Sequence, residues 1–204
     1  MKSVWNSLFG AFLFLVFLPA ASAQQFEGGL LAGGVSSQVA GDNISGFHKA
    51  GISFGGFVRL ELDDRSGLQL ELFFVQKGSR TSDQDVKAGM NPFLLRLNYV
   101  EMPLIYQYDF GKLRLEGGLT AAFLASHYEE VNYLDNTQDA WRSLNFSSIV
   151  GVRYLFHEHW SLGLRSINSI NSIRKNMVDG NVKRYGNKFG AFNDVLQLAV
   201  FYSL

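Results

Sequence analysis

From Phe26 onward, apolar and polar side chains alternate one by one rather than recurring every third or fourth position. A period of two places successive side chains on opposite faces of an extended strand. Eight segments carry it: 26–35, 50–61, 67–78, 94–108, 112–125, 144–155, 160–170 and 190–203. In the clearest, Leu68, Leu70, Leu72 and Phe74 share one face, and Gln69 and Glu71 share the other. Leu113 and Leu115 stand against Lys112, Arg114 and Glu116 in the same way. Phe146, Val150, Val152 and Tyr154 stand against Asn145, Ser147, Gly151 and Arg153. At the end of the chain, Leu198, Val200, Tyr202 and Leu204 alternate with Gln197, Ala199, Phe201 and Ser203. The fourth segment changes phase. Leu95 and Leu97 oppose Arg96 and Asn98, whereas Met102, Leu104 and Tyr106 oppose Glu101 and Pro103. The extra residue predicts a β-bulge near Tyr99 and Val100, beside a proline that has no N–H for the ladder.

The connections alternate in length. Short ones fall at 62–66, 109–111 and 156–159, and long ones at about 36–49, 79–93, 126–143 and 171–189. This alternation predicts an all-β fold, an eight-stranded antiparallel up-and-down transmembrane β-barrel with short periplasmic turns and long outer loops. Aromatic residues gather near both rims. Tyr106, Tyr108, Phe110, Tyr154, Phe156, Trp160 and Tyr202 lie near the short turns, and Phe93, Tyr128, Trp141 and Phe146 near the long loops. They read as two girdles at the headgroup level.

The first residues follow another rule. Lys2 precedes the apolar run 8–18, Pro19 ends that run, and Ala21-Ser22-Ala23 is a small-residue cleavage site. This order predicts a signal peptide over 1–23, with the barrel domain over 24–204. The run is too short for a membrane-spanning helix. The chain has 18 basic and 18 acidic residues. Removing Lys2 leaves a near-neutral chain that does not suit a nucleic-acid partner. The absence of cysteine excludes disulfides, thiolate metal sites, a cysteine nucleophile and an acyl-cysteine anchor.

The chain resembles the PorT-like outer-membrane β-barrel family of Gram-negative bacteria over nearly all of its length after residue 23. The resemblance is carried by Gly28-Gly29-Leu30-Leu31-Ala32-Gly33-Gly34 and by Gly51-Ile52-Ser53-Phe54-Gly55-Gly56-Phe57. More specific are 70–78, Leu-Glu-Leu-Phe-Phe-Val-Gln-Lys-Gly, and 99–106, Tyr-Val-Glu-Met-Pro-Leu-Ile-Tyr. It implies an integral outer-membrane barrel in a Gram-negative envelope and brings no catalytic motif that maps here. A role in protein export does not transfer on fold alone.

Candidate chemistry is mostly charge. Arg59, Glu61, Glu71, Arg96, Glu101, Arg114, Glu116, Arg153 and Arg165 are expected to face the lumen. In a barrel of this size they should pair into a plug rather than line an ion path. Loop 126–143 carries Glu129, Glu130, Asp135 and Asp139 against Arg142. Loop 171–189 carries Arg174, Lys175, Lys183, Arg184 and Lys188 against Asp179. The two loops are read as solvated, as pairing with each other, or as offering a basic patch to lipopolysaccharide phosphates. His157 and His159 offer two imidazoles to a metal with no third ligand in view, and His159 with Ser161 lacks the acid and oxyanion donors of an esterase. The expectation is a non-enzymatic barrel without cofactor, in contact with outer-membrane lipid and, through its long loops, an envelope partner. An accessory factor for export or uptake, or a soluble periplasmic barrel binding a small apolar ligand, is the alternative.

Overall fold

The computed structural model describes residues 26–42, 44, 46–135, 141–175, 182–184 and 188–204. The predicted signal peptide and its cleavage site lie outside these residues. The elements in chain order are β1 (Phe26–Ala40), β2 (Lys49–Asp63), β3 (Ser66–Arg80), α1 (Asp83–Lys87), β4 (Phe93–Phe110), β5 (Leu113–Val131), β6 (Leu134–Asp135), β7 (Leu144–Leu155), β8 (Trp160–Ser169), β9 (Lys183–Arg184), β10 (Lys188–Phe189) and β11 (Phe192–Ser203). The two-residue pieces β6, β9 and β10 belong to the outer loops. The other eight strands form one closed ring in which each pairs antiparallel with the next. β11 closes on β1 along a register from Gly29↔Ser203 to Ala40↔Phe192.

The register fixes the shape. From Gly28 the partners run through Val58, Leu70, Leu104, Leu119, Ser148, Asn168 and Asp194 and return to β1 at Gln38, ten residues further on. A stagger of this size over eight strands tilts them by about 40° and leaves a bore that side chains can fill. Both ends of the barrel chain, Phe26 and Ser203, lie at the end that carries the tight turns. One such turn is made by Asp63, whose Oδ1 accepts from the N–H groups of Arg65 (2.9 Å) and Ser66 (2.8 Å). The Ser66 hydroxyl donates to Oδ2 and holds this carboxyl below its usual pKa. At the other end the hairpins run further than the alternation predicted, to Ala40, Arg80 and Val131. α1 is capped by Ser82, whose Oγ accepts from the Asp85 N–H at 3.1 Å.

The outer wall is apolar. Leu30, Ile52, Phe54, Val58, Leu70, Leu72, Met102, Leu104, Leu115, Leu119, Val150, Leu164 and Leu198 are all exposed. In water this patch would be a liability, and in a bilayer it is the lipid contact. Leu72 lies midway up this band at 60% exposure. Leu72→Arg is therefore expected to cost about 2–4 kcal/mol in lipid vesicles, read from the urea midpoint of the heat-modifiable band. Wild-type stability in that variant would remove the lipid-facing assignment.

Two readings of facing are corrected. β4 has no phase break: Leu95, Leu97, Tyr99, Glu101, Ile105 and Gln107 are all buried inside. Arg96 is exposed on the outer wall and is not a lumen residue. The hydrophobic pattern inverts because the lumen turns apolar above Glu101, while the backbone keeps its faces. The bulge lies on the neighbouring strand, where Asn98 faces Ser126 but Tyr99 faces Leu124, leaving Ala125 as the extra residue of β5. Pro103 interrupts the β3–β4 ladder between Leu70↔Leu104 and Phe73↔Glu101. Trp141, at 1% exposure, and the half-buried Phe93 pack inside the outer mouth rather than in a girdle. Tyr106, Phe110, Tyr154, Phe156 and Trp160 at the turns, and Tyr128 and Phe146 at the loops, are exposed as the girdle reading requires.

Candidate functional site

The lumen is built in zones. In the periplasmic half, β3, β5, β7 and β8 each send one charged side chain to the axis. Arg165 donates to both oxygens of Glu71, from Nη1 at 2.9 Å and Nη2 at 2.7 Å. Its Nε donates to Glu116 Oε2 at 2.6 Å. Arg153 Nη2 lies 2.6 Å from Glu116 Oε1 and 4.0 Å from Glu71 Oε1, as an ion pair without the alignment of a hydrogen bond. All four side chains are at most 1% exposed. Two arginines thus face two carboxylates, with neutrality reached inside the barrel. Phe201 forms an apolar wall, its ring centre 3.6 Å from the Arg153 guanidinium carbon and 4.8 Å from that of Arg165. Space for this crowd comes from Gly151, where a Cβ would meet Arg165 Cγ at 2.7 Å.

A polar layer joins this quartet to the rim. Gln107 Nε2 donates to Glu116 and to Gln69 Oε1, each at 2.9 Å. Arg59 reaches Gln107 (3.0 Å), Glu61 (2.8 Å) and Asp109 (3.0 Å). Arg114 clasps Asp109 at 2.5 and 3.1 Å. Of the nine lumen charges singled out in the sequence, eight lie on the inner face and Arg96 lies outside. Gln69, Gln107, Asp109 and Lys77 were missed. Lys77 shares a face with Glu71 by simple alternation, but the intervening Phe73 and Val75 disguise it.

Above the quartet, Lys77 and Glu101 form a close ion pair at 1% and 0% side-chain exposure. Higher still, Val39, Leu95, Leu97, Tyr99, Ile173 and Trp141 fill the outer mouth. A charged zone, an isolated pair and a mainly apolar zone, the last bordered by the buried Asn145, Ser147, Ser169 and Asn193, therefore succeed one another along the axis.

The outer loops are fastened to this cap. Arg174 Nη2 donates to Glu129 at 3.0 Å and its guanidinium lies over Trp141 at 4.5 Å. Arg142 Nε donates to the Arg174 carbonyl at 3.1 Å. Arg184 grips Asp194 with both nitrogens, at 2.6 and 2.5 Å. Lys175 and Lys183 are engaged as well, and the Lys188, Asp135 and Asp139 side chains lie outside the described residues. Arg174 with Glu129 joins the basic loop to the acidic one. At the opposite rim, the His157 and His159 rings are 6.4 Å apart, and His159 Nδ1 lies 3.0 Å from the Ser203 carbonyl oxygen. Ser161 is buried on the lumen side. Among the described residues no three potential ligands gather for a metal.

A family model described as outer membrane protein beta-barrel domain matches residues 20–175. Among solved structures, the neisserial surface protein A is similar at a TM-score of 0.56 and 12% identity, over 87% of this chain and 97% of that one. Ail, the attachment invasion locus protein of Yersinia pestis, in complex with the heparin analogue sucrose octasulfate, is similar at 0.51 and 11% identity, over 88% and 99%. At these identities the likeness is one of fold. No curated protein matches the chain.

Proposed function

We propose, from the premise that this chain belongs to the outer membrane protein beta-barrel domain family and lies in the outer membrane of a Gram-negative bacterium, that it is a closed, non-catalytic platform whose outer loops meet a partner. The observation that carries this reading is the Arg165–Glu71–Glu116–Arg153 quartet, which crosses the bore with its charges mutually neutralised. A conducting pore of one ion sign would leave an excess of the other sign along its wall, and a binding lumen would keep a cavity. The apolar exterior sets aside a soluble periplasmic barrel. Finer placement among PorT-like proteins is part of the same proposal, supported by the motif at 99–106, whose Glu101 meets Lys77.

Arg174 and Arg184 suit a clasp over the mouth better than a lipopolysaccharide patch, since they are already neutralised by Glu129 and Asp194. Planar bilayers test the central claim. The purified wild-type barrel should show no steady unitary current at physiological salt. A large, stable single-channel conductance would overturn it and restore an uptake role.

A further inference from the structure

The outer wall carries a polar seam that marks where hydrocarbon ends. The buried Lys49 reaches it between strands, its Nζ donating to the Ala50 carbonyl at 2.7 Å and to Gln76 Oε1 at 3.3 Å; Gln76 Nε2 donates to Asn98 Oδ1 at 3.1 Å, and Asn98 Nδ2 to Ser126 Oγ at 2.8 Å. The seam runs sideways across β2, β3, β4 and β5. Directly on its periplasmic side lie the outward apolar residues Ile52, Phe74, Val100 and Phe123. Directly beyond it lie Arg80 and Arg96. Their register partners are Leu94 and Gly78, so the two arginines are diagonal neighbours on one face of adjacent strands. Such like charges repel unless an anion lies between them.

Local acids neutralise this group only in part, since Asp83 and Glu130 stand against Lys49, Arg80, Lys87 and Arg96. Arg80 has an exposed contact with Asp83 at 3.4 Å, a geometry that contributes little. Glu130, which accepts from the Tyr128 hydroxyl at 2.9 Å, also lines the site and keeps its charge. Among the described residues no carboxylate pairs with Arg96 or Lys49. Lys87 adds a fourth cation and His48 an imidazole. Together with Val86, Pro92 and Phe93 they enclose a groove of about 600 Å3 that opens outward.

We infer that this groove binds the phosphate of a phosphorylated glycolipid in the outer leaflet, with Arg80 and Arg96 as its ligands and Lys49 as supporting charge. The height decides the occupant. Cations set just beyond an apolar belt lie where lipid phosphates lie, and arginine is suited to forked contacts with phosphate. A soluble anion would have no reason to select this level. The inference rests on the outer-membrane location and is independent of whether the lumen conducts.

The test uses the mature barrel in nanodiscs that contain either bis-phosphorylated lipid A or the same glycolipid after dephosphorylation, with bound lipid read by native mass spectrometry. Wild type should retain the phosphorylated lipid at least about tenfold better. Arg80→Gln with Arg96→Gln should abolish that preference while heat-modifiability persists. Arg80→Lys with Arg96→Lys should keep most of it, which separates charge from a folding defect. Arg174→Gln with Arg184→Gln should keep it entirely. Equal retention of the two lipids by wild type would overturn the inference without any variant. Competition by millimolar inorganic phosphate, as effective as by lipid A, would overturn the assignment to a membrane lipid.

Discussion

Glu71→Ala should destabilise the barrel by about 3–5 kcal/mol, because it leaves Arg165 and Arg153, each 1% exposed, to share one buried carboxylate. Glu71 accepts two hydrogen bonds from Arg165 and a further one from Gln69, and its side chain is 0% exposed. The loss should appear as a lower urea midpoint of the heat-modifiable band in vesicles. Gln69→Leu, which removes a neutral neighbour, should cost less. The variant should stay electrically silent, since the apolar cap formed by Leu95, Leu97 and Trp141 is untouched. A loss below about 1 kcal/mol would mean that water screens the quartet, and the dry plug would have to be abandoned.

The Lys77–Glu101 pair should behave more asymmetrically still. It is surrounded by Phe73, Val75, Tyr99 and Ala122, all at most 1% exposed. Its further support is slight: Thr120 Oγ1 at 3.5 Å from Glu101, and the Tyr99 ring 4.9 Å from Lys77 Nζ. Glu101→Ala alone should cost about 3–5 kcal/mol, for it strands an ammonium in an apolar layer. Lys77→Met combined with Glu101→Leu should be close to neutral or stabilising by about 1–4 kcal/mol, because two desolvated charges are replaced by packing. Chemical denaturation of Lys77→Met, Glu101→Leu and the double variant closes the cycle. A double variant as unstable as Glu101→Ala would show that the pair is tied into the quartet rather than isolated above it.

The ring of eight strands was legible because a lipid-facing wall forces strict alternation wherever the lumen is polar. Leu68 to Phe74 and Leu113 to Glu116 meet that condition. Arg96 was misplaced for the complementary reason. Between Leu95 and Tyr99 the lumen side is the apolar one, so polarity no longer reports facing; parity carried down from Glu101 and Gln107 does. The bulge illustrates the same limit, since Ala125 lies on the strand opposite the apparent slip. Lys77 was hidden by Phe73 and Val75, and Asp109 by its place at a turn. Which charges meet was not readable at all, because the stagger depends on pairings between distant strands. The outer arginine group was unreadable for that reason too: Arg80 and Arg96 become neighbours only through the β3–β4 register.

The quartet also bears on how the molecule is completed. Glu71 and Arg165 are 94 residues apart, and Glu116 and Arg165 are 49 apart. The four side chains arrive on β3, β5, β7 and β8: the β5–β7 hairpin can pair Glu116 with Arg153 by itself, but Glu71 meets Arg165 only when β3 and β8 are both in place. A partial sheet lacking β8 exposes two carboxylates with only Arg153 to share, and a slip of one residue would turn charged side chains toward the acyl chains. Neutrality of the whole quartet is reached only when all the contributing strands curve around one axis in the correct stagger. The ion network thereby acts as a proofreading lock on insertion: incomplete or misregistered rings are penalised, and the finished ring gains its contacts in one late cooperative step.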